Sequence, residues 1–135
     1  MTVALDSSAL LARYLTGPAG DARAAMAADP DWCASALALT ESLMVVDQLD
    51  VDAPEREDLR RALRDDWERV HVVPIDGRCL DRAAELGRTQ PLRTADALHL
   101  AAANRLPRPL TYLTFDARQI PVALALGLDV RSTET

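Results

Sequence analysis

Short apolar runs alternate along the chain with longer stretches of helical period, the arrangement expected of βαβ units that build a parallel sheet. Thr2–Asp6, Asp31–Ala34, His71–Ile75, Leu110–Phe115 and Leu128–Arg131 read as strands. A first helix shows an apolar face of Leu10, Leu11, Tyr14 and Leu15 and stops at Gly17-Pro18, and a second spans about Asp21–Ala28. Ser35 is placed to N-cap a helix that runs to about Leu49. The next helix opens at Asp52-Ala53-Pro54-Glu55 and repeats Leu59, Leu63, Trp67 and Val70 on one face. Its other face pairs Glu57 with Arg61 and Asp65 with Arg69 at i,i+4, a solvated charge run. A helix from about Arg78 to Leu86 ends at Gly87, and Thr94 caps one of about Ala95–Arg105 that Pro107 and Pro109 stop. A last helix, Ala117–Leu126, closes on Gly127. These elements predict an α/β fold: a parallel five-stranded sheet in the order 3-2-1-4-5, flanked by helices.

A length of 135 residues fits a single domain over 1–135. With 24 Ala and 21 Leu against 4% aromatic residues, the core is aliphatic and favours close helix packing. The longest stretch without a charge, Gln119–Leu128, is about half of what a membrane-spanning helix needs. The first residues carry no basic region, so a cytoplasmic protein with no membrane association is expected. Cys33 and Cys79 are far apart and read as small buried hydrophobes.

A net charge of -6 excludes diffuse, charge-driven binding to nucleic acid, yet it leaves room for a local phosphate site. All 15 cations are Arg. Without lysine, P-loop nucleotide binding, Schiff-base chemistry and phospho-receiver chemistry are excluded, and no nucleotide cofactor is expected. His71 and His99 are the only histidines, and there is no H-E-x-x-H, G-x-S-x-G or G-x-G-x-x-G.

Four acids stand where an acid is unexpected or structurally privileged: Asp6, Glu41, Asp96 and Asp116. Each has a plainer explanation. Asp6 and Asp116 follow apolar strands and could be N-caps, and Asp96 in the first turn of its helix favours the helix dipole. Glu41 has Leu37, Ala38, Met44 and Val45 at -4, -3, +3 and +4, so it lies in an apolar stripe where a charge needs a partner: an arginine, or a metal. The predicted topology joins them. Strands 1 and 4 become neighbours, Asp6 and Asp116 end them about 4.8 Å apart, and the helices of Glu41 and Asp96 begin at the same carboxyl edge. Four carboxylates so close repel one another unless a divalent cation intervenes, and all-oxygen ligation suits Mg2+ or Mn2+. Such a site can hydrolyse a phosphodiester.

The sequence resembles the PIN-domain ribonucleases and, within them, the VapC toxins of bacterial toxin–antitoxin pairs. The likeness rests on Val3–Leu11, Leu39-Thr40-Glu41-Ser42-Leu43, Thr94–Ala103, Leu113–Arg118 and Ala125-Leu126-Gly127-Leu128, in order along almost the whole chain. The resemblance implies a Mg2+-dependent endoribonuclease with Asp6, Glu41, Asp96 and Asp116 as its acidic quartet, and with Ser8 and Thr114 as hydroxyls that support a carboxylate or a metal-bound water. It further implies a VapB-type antitoxin that covers the cleft, and a toxin homodimer. Pro91-Leu92-Arg93-Thr94 stands where the family has a glycine before the third acid's helix.

For holding RNA, Arg93 and Arg118 are the best placed arginines, each with a solvated-surface alternative. His99, three residues after Asp96, reads as a structural histidine rather than a base. An aspartyl-phosphate phosphatase needs an Asp where Ser8 stands, and a D-x-S-x-S adhesion module fails at Leu10. The alternative from another class is a non-cleaving module that binds metal, RNA or antitoxin.

Overall fold

The computed structural model describes residues 2–15 and 31–132. The Gly17-Pro18 stop and the helix expected at 21–28 lie outside the described residues. Strands β1 (Thr2–Leu5), β2 (Trp32–Ser35), β3 (His71–Val73), β4 (Leu110–Leu113) and β5 (Asp129–Arg131) form one parallel sheet. Its order is β3-β2-β1-β4-β5, as the sequence pattern predicts. Among the described residues six helices flank it: α1 (Ser7–Leu11), α2 (Leu37–Asp47), α3 (Ala53–Trp67), α4 (Gly77–Thr89), α5 (Thr94–Asn104) and α6 (Ile120–Ala125).

Both faces of the sheet are covered, which is why its central strands are buried almost throughout rather than on alternate residues. Val3 and Leu5 pack with Leu10, Ala38, Val46, Leu63 and Leu113 on one side. Ala4 packs with Leu100, Ala101, Tyr112 and Val122 on the other. Helix α5 is buried along its length, every residue from Asp96 to Ala103. A helix so enclosed has no use for polar side chains in packing. It nevertheless carries Asp96 and His99. Among the described residues no helix is long and apolar enough to cross a membrane.

Several predicted boundaries move, each for a local reason. Strand β3 stops before Pro74, and β4 stops at Leu113, so Thr114, Phe115 and Asp116 form a loop instead of extending the strand. Helix α4 continues through Gly87 to Thr89, and α6 begins only at Ile120, after a turn at 117–119. Asp52 caps α3 as expected, accepting from Glu55 N at 2.8 Å. Ser35 is not a cap: β2 runs one residue further than predicted, Ser35 pairs with Val73 in the ladder, and the α2 cap position falls to Ala36 without a side-chain bond. Thr94 likewise is the first residue of α5, whose cap position is Arg93. On α3 the charge pairs close at i,i+3, Glu57 with Arg60 and Asp58 with Arg61, instead of the expected Glu57–Arg61. Arg69 likewise closes on Asp66 rather than on Asp65. Arg60 also reaches across to Asp47 at the end of α2, so it serves both an intrahelical and an interhelical pair.

Helix α3 is attached through one enclosed side chain and a set of polar links. Leu63 is its fully buried residue, and Arg56 donates to the carbonyls of Leu49 and Val51 at 2.7 and 3.2 Å, closing the end of α2. Truncating Leu63 to Ala removes that anchor and leaves a cavity. It is expected to lower stability by about 2–5 kcal/mol in a urea titration. A loss below about 1 kcal/mol would mean that α3 is held elsewhere.

Candidate active site

Leu5 pairs with Leu113 across β1 and β4, so the residues that follow, Asp6 and Thr114, leave the sheet side by side at its carboxyl edge. The direct neighbour of Asp6 is therefore Thr114, not Asp116 as the predicted strand ends implied. Asp116 sits two residues on, because β4 ends early. The loop is tied back all the same. Thr114 Oγ1 donates to Asp6 Oδ2 at 2.7 Å and accepts from Asp116 N at 3.0 Å. Ser8 Oγ donates to Asp6 Oδ1 at 2.6 Å and accepts from Phe115 N at 3.0 Å.

Asp6 is also the N-cap of α1, accepting from Ala9 N at 3.0 Å, so the plainer explanation of this acid holds too. Gln119 Nε2 adds a fourth bond to Asp6 Oδ2 at 3.1 Å. A carboxylate offers about four acceptor positions. All four of Asp6 are therefore occupied by donors of the protein itself. Burial at 2% exposure pushes its carboxyl above the usual range, against the lowering pull of Ser8, Thr114 and Ala9.

Asp96, in the first turn of α5, is 3% exposed. Its Oδ1 accepts from the same Gln119 Nε2 at 2.9 Å, so one amide nitrogen bridges Asp6 and Asp96. Arg93 bridges the next pair: its Nε meets Asp96 Oδ2 and its Nη2 meets Asp116 Oδ2, both at 3.1 Å. Asp116 Oδ1 accepts from Arg118 N at 3.0 Å and from Arg118 Nε at 3.3 Å. Burial pushes the Asp116 carboxyl up, but the backbone N–H and guanidinium of Arg118 hold it below the usual range. Arg93 and Arg118 are thus exposed and engaged at once.

Glu41 comes from α2, on the other flank. Its partner is a histidine, not the arginine foreseen as the ordinary alternative: His99 Nε2 donates to Glu41 Oε1. That bond holds the carboxyl below the usual range, opposed by burial and aided by Ser7 and Arg93. The fully buried hydroxyl of Tyr112 registers the whole cluster. Burial and then the charges of Asp6, Asp96, Asp116 and Glu41 push it well above its ordinary value.

Asp6, Asp96 and Asp116 therefore meet in one region, Asp6 with Asp96 and Asp96 with Asp116 each within two hydrogen-bond lengths, while Glu41 is tied to the Asp96 helix through His99. Among the described residues, however, no three or more His, Cys, Asp or Glu side chains are already gathered as a metal cage. Donors of the protein stand between them. These donors differ in how readily they can leave. Gln119 is 1% exposed and fixed by Tyr112, whose hydroxyl donates to Gln119 Oε1 at 2.5 Å. The Arg93 side chain is 62% exposed, and its withdrawal frees acceptor oxygens on both Asp96 and Asp116. The donor set, carboxylate oxygens alone, fits a hard divalent cation on that condition. Asp6 reaches such an ion only by releasing Gln119 or a hydroxyl.

Gln119 is the residue that sequence reasoning missed. Its signal was present: it is the single polar side chain in the uncharged run Gln119–Leu128. His99 was noticed and set aside as structural, and the structure gives its ring two specific partners, Glu41 and Ser35.

A PIN-domain family model matches residues 3–124. Ribonuclease VapC46 of Mycobacterium tuberculosis is 37% identical over 128 residues, covering 93% of this chain and 93% of its own. In fold the chain is similar to FitAcB from Neisseria gonorrhoeae, with a TM-score of 0.76 and 18% identity over 98% of each chain. It is similar as well to a toxin–antitoxin complex from Klebsiella pneumoniae, with a TM-score of 0.73 and 16% identity over 97% of each chain.

Because the Arg93 guanidinium occupies the acceptors a cation would need, Arg93→Ala should have two opposite effects. Without metal, the melting temperature falls, since Asp96 and Asp116 lose a shared counter-charge. With Mg2+ added, the concentration giving half of the thermal stabilisation drops by several-fold. A variant that needs more Mg2+ than the wild type would contradict this competition.

Proposed function

The chain belongs to the PIN-domain family, in its VapC branch, and from that premise we propose that it is a Mg2+-dependent endoribonuclease, with Mn2+ as an alternative ion. It acts in the cytoplasm as the toxin of a toxin–antitoxin pair. The observation that carries this reading is the meeting of Asp6, Asp96 and Asp116 on shared donors at the carboxyl edge of β1 and β4, with Glu41 bonded to His99 of the Asp96 helix. Such crowding of carboxylates is costly without a compensating cation.

Asp6, Glu41, Asp96 and Asp116 are the residues that would hold the ion. A divalent ion bound there supplies Lewis-acid polarisation of a phosphoryl oxygen and a water of lowered pKa. Ser8 and Thr114 act one step back: each donates to one oxygen of Asp6 and accepts a backbone N–H of the Phe115-Asp116 loop, which locks the first and fourth acids together. Arg93, once released from the acids, and Arg118 flank the cleft with planar guanidinium groups that suit a bidentate grip on phosphate. The net charge of -6 makes such local contacts necessary, because the protein as a whole repels RNA.

The relatives support the partners. The name of VapC46 specifies a ribonuclease, which favours RNA as substrate. The likeness to the Klebsiella toxin–antitoxin complex supports a VapB-type antitoxin, and we extend the reading to a toxin homodimer. One observation favours a second reading, a non-cleaving module with the same fold: Arg93 already neutralises Asp96 and Asp116.

The two readings separate in one experiment with purified, antitoxin-free protein and structured RNAs, in Mg2+ and in EDTA. Cleavage in Mg2+ alone is expected, with Asp6→Asn and Asp96→Asn each reducing the rate by about 100-fold or more, at least the cost of disturbing a residue that supports a metal. Millimolar Mg2+ should raise the wild-type melting temperature by several degrees through linkage, and should raise that of the variants less. RNA bound but left intact by the wild type favours the binding module. A melting curve indifferent to Mg2+ counts against a metal site.

A further inference from the structure

His99 is held between two groups that are both far from it in sequence, Ser35 and Glu41. It lies in the enclosed part of α5, where Asp96 is the only other titratable side chain between Asp96 and Ala103. Its side chain is 2% exposed. On one side Nδ1 lies 3.0 Å from Ser35 Oγ, and on the other Nε2 donates to Glu41 Oε1. Ser35 is 1% exposed and sits in the β2–β3 ladder, paired with Val73. Its hydroxyl can donate or accept, so it satisfies Nδ1 whether or not that nitrogen carries a proton. A continuous chain of bonds therefore runs from the rigid sheet, through a buried imidazole, to the acid that α2 presents.

We propose that His99, anchored by Ser35, is a positioning residue that holds Glu41 toward the other three acids of the cleft. The inference rests on the nuclease reading and names the device that keeps its fourth acid in place. Glu41 needs such a device more than the others. Asp6 and Asp96 are enclosed and multiply bonded, and Asp116 is pinned by its own loop. Glu41 has a longer side chain, is 29% exposed, and has only apolar neighbours one turn away on α2, at Leu37, Ala38, Met44 and Val45. Beyond its own helix it is met by His99 and by the Ser7 hydroxyl. An imidazole fixed on its far side by a second hydrogen bond defines the direction of the near one, the same logic by which outer partners orient metal-binding side chains. The pairing also explains why Ser35 is not spent on a helix cap.

A double-mutant cycle tests this, with His99→Leu, Ser35→Ala, Glu41→Gln and the two combinations that include Glu41→Gln. Two readouts are taken: cleavage of structured RNA, and the Mg2+ concentration giving half of the thermal stabilisation, which is independent of turnover. His99→Leu is expected to slow cleavage and raise the Mg2+ requirement, each by about 10- to 100-fold. Ser35→Ala leaves the ring in place and shifts both in the same direction by less. In the Glu41→Gln background neither change adds further loss. Should His99→Leu fail to fold, Ser35→Ala alone decides: its effect must disappear when Glu41 is already Gln. Effects that multiply regardless of Glu41, or a lowered melting temperature with unaltered Mg2+ dependence, overturn the inference and make His99 a packing residue. A wild type that neither cleaves RNA nor responds to Mg2+ overturns the nuclease reading and this one with it. A responsive wild type with independent variants overturns only the role of His99.

Discussion

Carboxylates gathered at the end of a parallel sheet repel one another, and everything else about the site answers that repulsion. Asp6 and Asp96 are nearly sealed from water, so solvent does not relieve them. An isolated ionised carboxylate in such a place is very costly and is tolerated only with donors or a counter-charge. The protein supplies both, and it supplies them unequally. Around Asp6 the donors are neutral, buried and numerous. Around Asp96 and Asp116 the principal counter-charge is a guanidinium on an exposed arm.

In the function proposed above, that inequality is what turns a packing problem into a binding site. A fully neutral set of buried donors would make the cluster a structural knot with no affinity for a cation. A fully buried arginine would do the same more firmly. Instead Ser8, Thr114 and Gln119 fix the geometry from below, while Arg93 covers it from the solvent side, where a competing cation can displace it. The free arginine is then left at the rim with a charge suited to phosphate. On the proposed reading, one side chain stabilises the metal-free state and would be available for substrate once an ion is bound.

The topology was legible because it follows from which runs are apolar on both faces and which are periodic. The order of the strands, and with it the meeting of acids separated by over a hundred positions, came from that pattern alone. What was not legible lies at the carboxyl ends of the strands, where one residue of strand length decides the role of its neighbour. Ser35 was expected to cap a helix and is in the ladder, which frees its hydroxyl for His99. Asp116 was expected opposite Asp6 and is displaced by the early end of β4, which puts Thr114 there. Arg93 was singled out for phosphate and not for the acids, and Gln119 was passed over, because a charged residue before a helix and a single amide in an apolar run are both ordinary. Only the fold shows that they bridge the acids.

The most direct measurement is a crystal structure of the antitoxin-free protein soaked in Mn2+, read by anomalous scattering. The account predicts an ion peak among the oxygens of Asp96 and Asp116, near Glu41, with the Arg93 guanidinium withdrawn from both aspartates. Arg93 still bridging Asp96 and Asp116, with no ion at any concentration the crystals tolerate, would contradict it.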